Sequence, residues 1–116
     1  MRLVADVLPN AEGIKRLMIL ETEGGVYLFG FNRVPDSGGM WDEWYETVAD
    51  AKEAGQEAYQ VVAEVWTQID DPCEHCQQDW IQPVRVKGRD TGRPEWGKLE
   101  RLVNNQWVEF DPEEAV

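Results

Sequence analysis

Residues 14–33, IKRLMILETEGGVYLFGFNR, constrain the fold of this chain more than any other stretch. Leu17 and Ile19 alternate with Met18 and Leu20, which makes a strand apolar on both faces. The EGG that follows supplies a permissive turn, because Gly24 and Gly25 can take positive φ at little cost. The returning segment is rich in aromatics, with Tyr27, Phe29 and Phe31 on one face. The pattern predicts a β-hairpin. VPDSGGM then interrupts it as a loop, and WDEWYE reads as a third short strand with Trp41 and Tyr45 on one face and Trp44 on the other.

A helix is expected next. Thr47 stands at an N-cap position, and Asp50 three residues later completes a capping-box-like start. Val48, Ala51, Gly55, Ala58, Tyr59 and Val62 follow at helical spacing as one apolar stripe that faces a core. Gly55 costs roughly 1 kcal/mol against alanine inside a helix, so it marks a close approach to the sheet. EVWTQI has the alternation of a fourth strand. WIQPVRVK is a fifth, and Pro83 assigns it to an edge or bulged position. GRDTGRPEWG is a loop that its glycines leave mobile, and KLERLVNNQWVEF is a second hairpin turning at NN. Strands before and after one helix define an α+β fold with a mostly antiparallel sheet. The 116 residues suit a single α+β domain over residues 1–116, with 111–116 a frayed tail.

Charge is the informative part of the composition because it is uneven. The chain carries a net −12. Residues 1–84 hold 5 basic and 16 acidic side chains, residues 85–101 hold 6 and 3, and residues 102–116 hold 0 and 4. An acidic body repels nucleic-acid phosphates and anionic lipids, which argues against both as partners. The first residues lack the apolar run of about 7–15 residues that a secretory leader needs. No apolar run approaches the ~20 residues of a membrane span. The expectation is a soluble, cytoplasmic protein.

DDPCEHCQQDW, residues 70–80, brings both cysteines and the one histidine within four positions. A structural zinc site takes four ligands, usually Cys and His. Cys73 and Cys76 have a suitable spacing, but His75 adjoins Cys76, and one chain offers three such donors at best. A redox pair needs a depressed thiol pKa, whereas the carboxylates here would raise it. Unreactive loop thiols are the favoured reading. A metal- or thiol-dependent protein using Cys73, His75 and Cys76, with zinc as its cofactor, is the alternative.

No catalytic constellation stands out. His75 is the single histidine, no phosphate-loop pattern occurs, and the many carboxylate pairs are read as solvated surface. The best binding candidate is the basic strip, in which Arg85, Lys87, Arg89, Arg93, Lys98 and Arg101 surround Trp96. Arginine forks suit carboxylate or phosphate, and an exposed indole adds a stacking face. The competing account pairs these cations with the acidic body and buries Trp96 in the core. The chain is thus expected to be a non-catalytic binding or protein-interaction module without cofactor. Its partner would be a protein, a small anion or a second copy of itself.

Overall fold

The structure, a computed structural model, describes residues 1–112. It has the α+β architecture expected: two antiparallel sheets and one α-helix. The elements are β1 (Arg2–Asp6), β2 (Arg16–Thr22), β3 (Gly25–Phe31), β4 (Trp41–Tyr45), α1 (Val48–Tyr59), β5 (Thr67–Ile69), β6 (Val84–Val86), β7 (Leu99–Val103) and β8 (Gln106–Phe110). They gather into two compact units, one formed by residues 1–34 and 38–71, the other by 35–37 and 72 onward. The part of the tail from residue 113 lies outside the described residues. No helix among the described residues is long and apolar enough to cross a membrane.

The first unit is a five-stranded sheet, ordered β4-β3-β2-β1-β5, with α1 against one face. The β2–β3 register runs from Thr22 opposite Gly25 to Arg16 opposite Phe31. Only Gly25 of the two turn glycines adopts positive φ (136°); the Thr22 hydroxyl closes the turn by accepting from Gly24 N and donating to Gly25 O. Leu17, Met18 and Ile19 are wholly buried, so β2 is covered on both faces. On the helix side Leu3, Ala5, Leu17, Ile19, Val26 and Leu28 meet Ala51 and Val61.

Strand β1 has no counterpart in the sequence reading, although it sits inside the sheet between β2 and β5. RLVAD is five residues with charged ends and no turn signal before it, too little to establish a strand alone. Its hydrogen-bonded neighbours decide it. Arg2 is 98% buried on the face opposite the helix, where its Nε donates to Asp70 O at 2.7 Å.

The helix begins as expected, with the Thr47 hydroxyl accepting from Asp50 N at 3.1 Å. It ends earlier than expected. Gln60 turns left-handed (φ 61°), so Val62 falls outside α1 and is exposed while Val61 is buried. Ala51 and Gly55 are the buried helical positions; Ala54 packs against the core and Ala58 is exposed. A Cβ on Gly55 would sit 3.3 Å from Leu17 Cδ1 and 3.3 Å from Trp66 Cζ2. That is the close approach its presence in a helix implied.

The fourth and fifth expected strands shrink. The first two residues of EVWTQI belong to a 3-10 turn, Ala63–Val65, leaving Thr67–Ile69 as β5. Of WIQPVRVK only Val84–Val86 pairs, immediately after Pro83 and at the edge of the second sheet. That sheet, ordered β6-β7-β8, is the second unit. Asn104 and Asn105 make its hairpin turn at φ 51° and 62°, as the NN pair requires. Val84, Val86, Cys76 and Trp80 are buried, and Trp80 meets Phe110 edge-on at 5.7 Å. Asp36 fastens the approach to β6 by accepting from Ile81 N and Gln82 N at 3.0 and 2.8 Å.

Replacing Thr47 by alanine should lower stability by about 1 kcal/mol, since an orphan helix N–H loses its acceptor. Thr47→Ser should retain most of it. Denaturant melts read by helix circular dichroism check the pair; equal loss in both would remove the cap from the account.

Candidate functional sites

The second sheet disperses the basic strip. Arg85 lies directly opposite Glu100, which lies opposite Glu109, so two like charges stand side by side on one face. Cations answer both. Arg85 Nε reaches Glu100 Oε1 at 3.2 Å and its Nη1 approaches Asp90 at 3.4 Å, while its guanidinium lies 4.0 Å over the Trp107 ring. Lys87 Nζ donates to Glu109 Oε1 at 3.0 Å. This hydrogen bond raises the Lys87 pKa and lowers that of Glu109, so the bond holds at neutral pH and is lost as acid protonates Glu109. Lys98 approaches Glu95 at 3.4 Å. Arg101 occupies the other face, 5.3 Å from the Phe110 ring.

Arg89, Arg93 and Trp96 remain, all exposed, on the connection between β6 and β7. Arg89 Nη1 donates to the neutral amide of Gln77 at 2.8 Å. Trp96 is 72% exposed and not part of a core. The connection was expected to be a loose glycine loop, yet six backbone hydrogen bonds close it. They include Arg93 N to Gly88 O at 3.0 Å, Glu95 N to Lys87 O at 2.7 Å and Lys87 N to Lys98 O at 3.0 Å.

In the cysteine loop, Cys76 N donates to Cys73 O at 3.0 Å, a turn that leaves Cys73 exposed and Cys76 buried. No disulfide joins them. His75, at φ 65°, lies 3.4 Å from the carboxylate of Glu74. Among the described residues, no three His, Cys, Asp or Glu side chains are grouped as a metal ion would need.

A further site was missed by sequence reasoning. In the first unit a cleft of about 510 Å³ opens between β4 and α1. Trp41, Glu43 and Tyr45 alternate along one face of β4, and Glu57 and Tyr59 come from the end of α1. Glu12 arrives from the β1–β2 connection, where the Asn10 side chain accepts from Glu12 N and Ile14 N. Ala54 and Ala58 line the helix side, and their small size leaves the volume open. Trp41 can lie flat here because Gly30, its cross-strand partner, has no side chain: a Cβ there would fall 2.3 Å from the indole. The Trp41 and Tyr59 rings stack at 6.3 Å and 17°.

Two tyrosines hold two of the carboxylates. The Tyr45 hydroxyl donates to Glu43 Oε2 at 2.5 Å, and the Tyr59 hydroxyl donates to Glu12 Oε2. The Glu43 hydrogen bond, with burial and the Glu43 charge behind it, pushes Tyr45 up to about 12. Burial first, then the Glu12 hydrogen bond, does the same for Tyr59. Among the described residues no cation pairs with Glu12, Glu43 or Glu57. The sequence signal was the period-2 run Trp41-Glu43-Tyr45; the contributions of Glu12 and Tyr59 depend on tertiary placement.

Arg85→Ala should cost about 2–3 kcal/mol, because it strands the half-buried Glu100 carboxylate and uncovers Trp107. Arg93→Ala should stay within about 0.5 kcal/mol of the parent. Urea melts of both variants decide this. Tyr45 and Tyr59 should ionise near pH 12 rather than 10 in an ultraviolet phenolate titration. Both folded pKa values exceed the unfolded one, so their contribution is intact below pH 10 and declines as pH climbs towards 12. Melting temperature against pH should therefore fall less steeply over that window in Tyr59→Phe. No family model, curated protein or solved structure matches this chain.

Proposed function

We infer that this chain is a non-catalytic protein-interaction module that meets its partner through the loop carrying Arg89, Arg93 and Trp96. The observation behind the reading is Trp96, an indole 72% exposed on a loop whose backbone is closed by six hydrogen bonds. Tryptophan and arginine are the side chains that most often dominate an interface. A loop already fastened by its own backbone loses little further freedom on docking. Arg89 and Arg93, both exposed, lie on the same loop as the indole, and neither has a carboxylate partner among the described residues. They suit a partner segment that presents carboxylates beside an apolar surface.

The test uses the full chain as bait, cross-linked in cells that express it, with Trp96→Ala and Arg93→Ala baits beside it. A partner recovered with the parent should fall by about tenfold or more with Trp96→Ala, and less with Arg93→Ala. The melting temperatures of all three baits should coincide. Undiminished recovery with both variants would reject this loop as the contact surface.

A further inference from the structure

We propose that the cleft between β4 and α1 is a binding site for a guanidinium group, which would lie against the aromatic wall of Trp41 and Tyr59 and be held by Glu12, Glu43 and Glu57.

Three features of the cleft converge on that chemistry. Its acidic and hydroxyl-bearing side chains are Glu12, Glu43, Glu57, Tyr45 and Tyr59, and each hydroxyl already spends its proton on a carboxylate. A ligand that enters therefore meets acceptors in excess and must bring donors. Glu12, Glu43 and Glu57 also lack a cation among the described residues, so the ligand must bring positive charge. A neutral molecule would cover these carboxylates without answering their charge. Finally, the wall is aromatic. Trp41 and Tyr59 are half-buried and stacked, and Leu28 beneath them is 2% exposed. Such a surface favours a cation with flat apolar faces over a compact, strongly hydrated ammonium.

A guanidinium meets all three demands, with five donors in its plane and a face that stacks on indole. The same chain already makes this arrangement internally. Arg85 lies 4.0 Å over Trp107 while its Nε reaches Glu100 at 3.2 Å. In the second unit the cation is built in; in the cleft of the first unit the aromatic and acidic parts are present and the cation is to come from outside.

The site is also held in shape before any ligand arrives. The Tyr45 and Tyr59 hydroxyls fix one oxygen each of Glu43 and Glu12, leaving the other oxygen of each carboxylate for the incoming fork. Asn10 fixes the backbone that carries Glu12. A pre-set acceptor array loses less freedom on binding than one assembled around the ligand.

The experiment titrates the full chain with Nα-acetylarginine amide and follows the aromatic NMR resonances of Trp41, Tyr45 and Tyr59. Parallel titrations use the uncharged citrulline counterpart, of nearly the same shape, and the lysine counterpart. Saturable shifts confined to these rings are expected, with a Kd on the order of 1 mM for so small a probe. The citrulline probe should bind at least about tenfold more weakly, and the lysine probe more weakly than arginine. Glu12→Gln with Glu57→Gln should weaken the arginine probe by about tenfold. The melting temperature should hold, because the glutamine amide oxygen can still accept from Tyr59. Two further probes separate the sources of the group. Butylguanidinium as tight as an arginine-centred pentapeptide indicates a small-molecule ligand; a peptide about tenfold tighter indicates an arginine of a polypeptide. The proposal is overturned if citrulline matches arginine, if lysine binds better, if the Gln variants bind unchanged, or if no ring resonance responds.

Discussion

The first unit depends on burying β2 from both sides. Leu17, Met18 and Ile19 are wholly buried and Leu20 nearly so, in a strand flanked by β1 and β3. Each such side chain contributes roughly 1.5–3 kcal/mol when taken from water, which only a sheet covered on both faces delivers. Leu17 and Ile19 draw α1 onto their face, and the contact is close because the helix offers Ala51 and Gly55 there. A larger residue at Gly55 would press on Leu17 and Trp66 at once. The helix thus accepts roughly 1 kcal/mol of lost propensity at one position to seat itself on the strand.

The cleft is a consequence of the same packing. Trp41 and Tyr45 face the helix from β4, but Ala54 and Ala58 are too small to fill the space between. Gly30 lets the Trp41 indole settle onto β3, where a Cβ would lift it. Two glycines therefore shape the unit by what they omit: one admits the helix, the other admits the ring.

Charge is handled in two ways within one chain. In the second sheet the register sets Glu100 beside Glu109, and Arg85 and Lys87 neutralise them at 3.2 and 3.0 Å. In the cleft, Glu12 and Glu43 are held by tyrosine hydroxyls instead. A hydroxyl orients a carboxylate without cancelling its charge, and both phenols hold their protons beyond the ordinary range, Tyr45 first through its bond to Glu43 and Tyr59 first through burial and then through its bond to Glu12. The net −12 is thus not spread evenly in its effect, since paired acids stiffen a sheet while unpaired ones keep their attraction for cations.

Much of this was legible along the chain because the interactions are local. The two-sided apolar run of β2, the Thr47 cap, the faces of Trp41, Trp44 and Tyr45, and the Asn104-Asn105 turn each depend on neighbours within a few residues. Those signals determined the α+β class, both hairpins and the start of the helix. Tertiary structure decided the rest. It made a strand of RLVAD, which has too little periodicity to declare itself, by supplying partners on both edges. It divided six clustered cations between two faces and a loop, because neighbouring residues in a strand point opposite ways. It brought Glu12 within hydrogen-bonding reach of Tyr59, 47 positions away, an adjacency to which local sequence contributes nothing. The elements followed from short-range periodicity and turn chemistry; the sites followed from which elements the sheet order placed side by side.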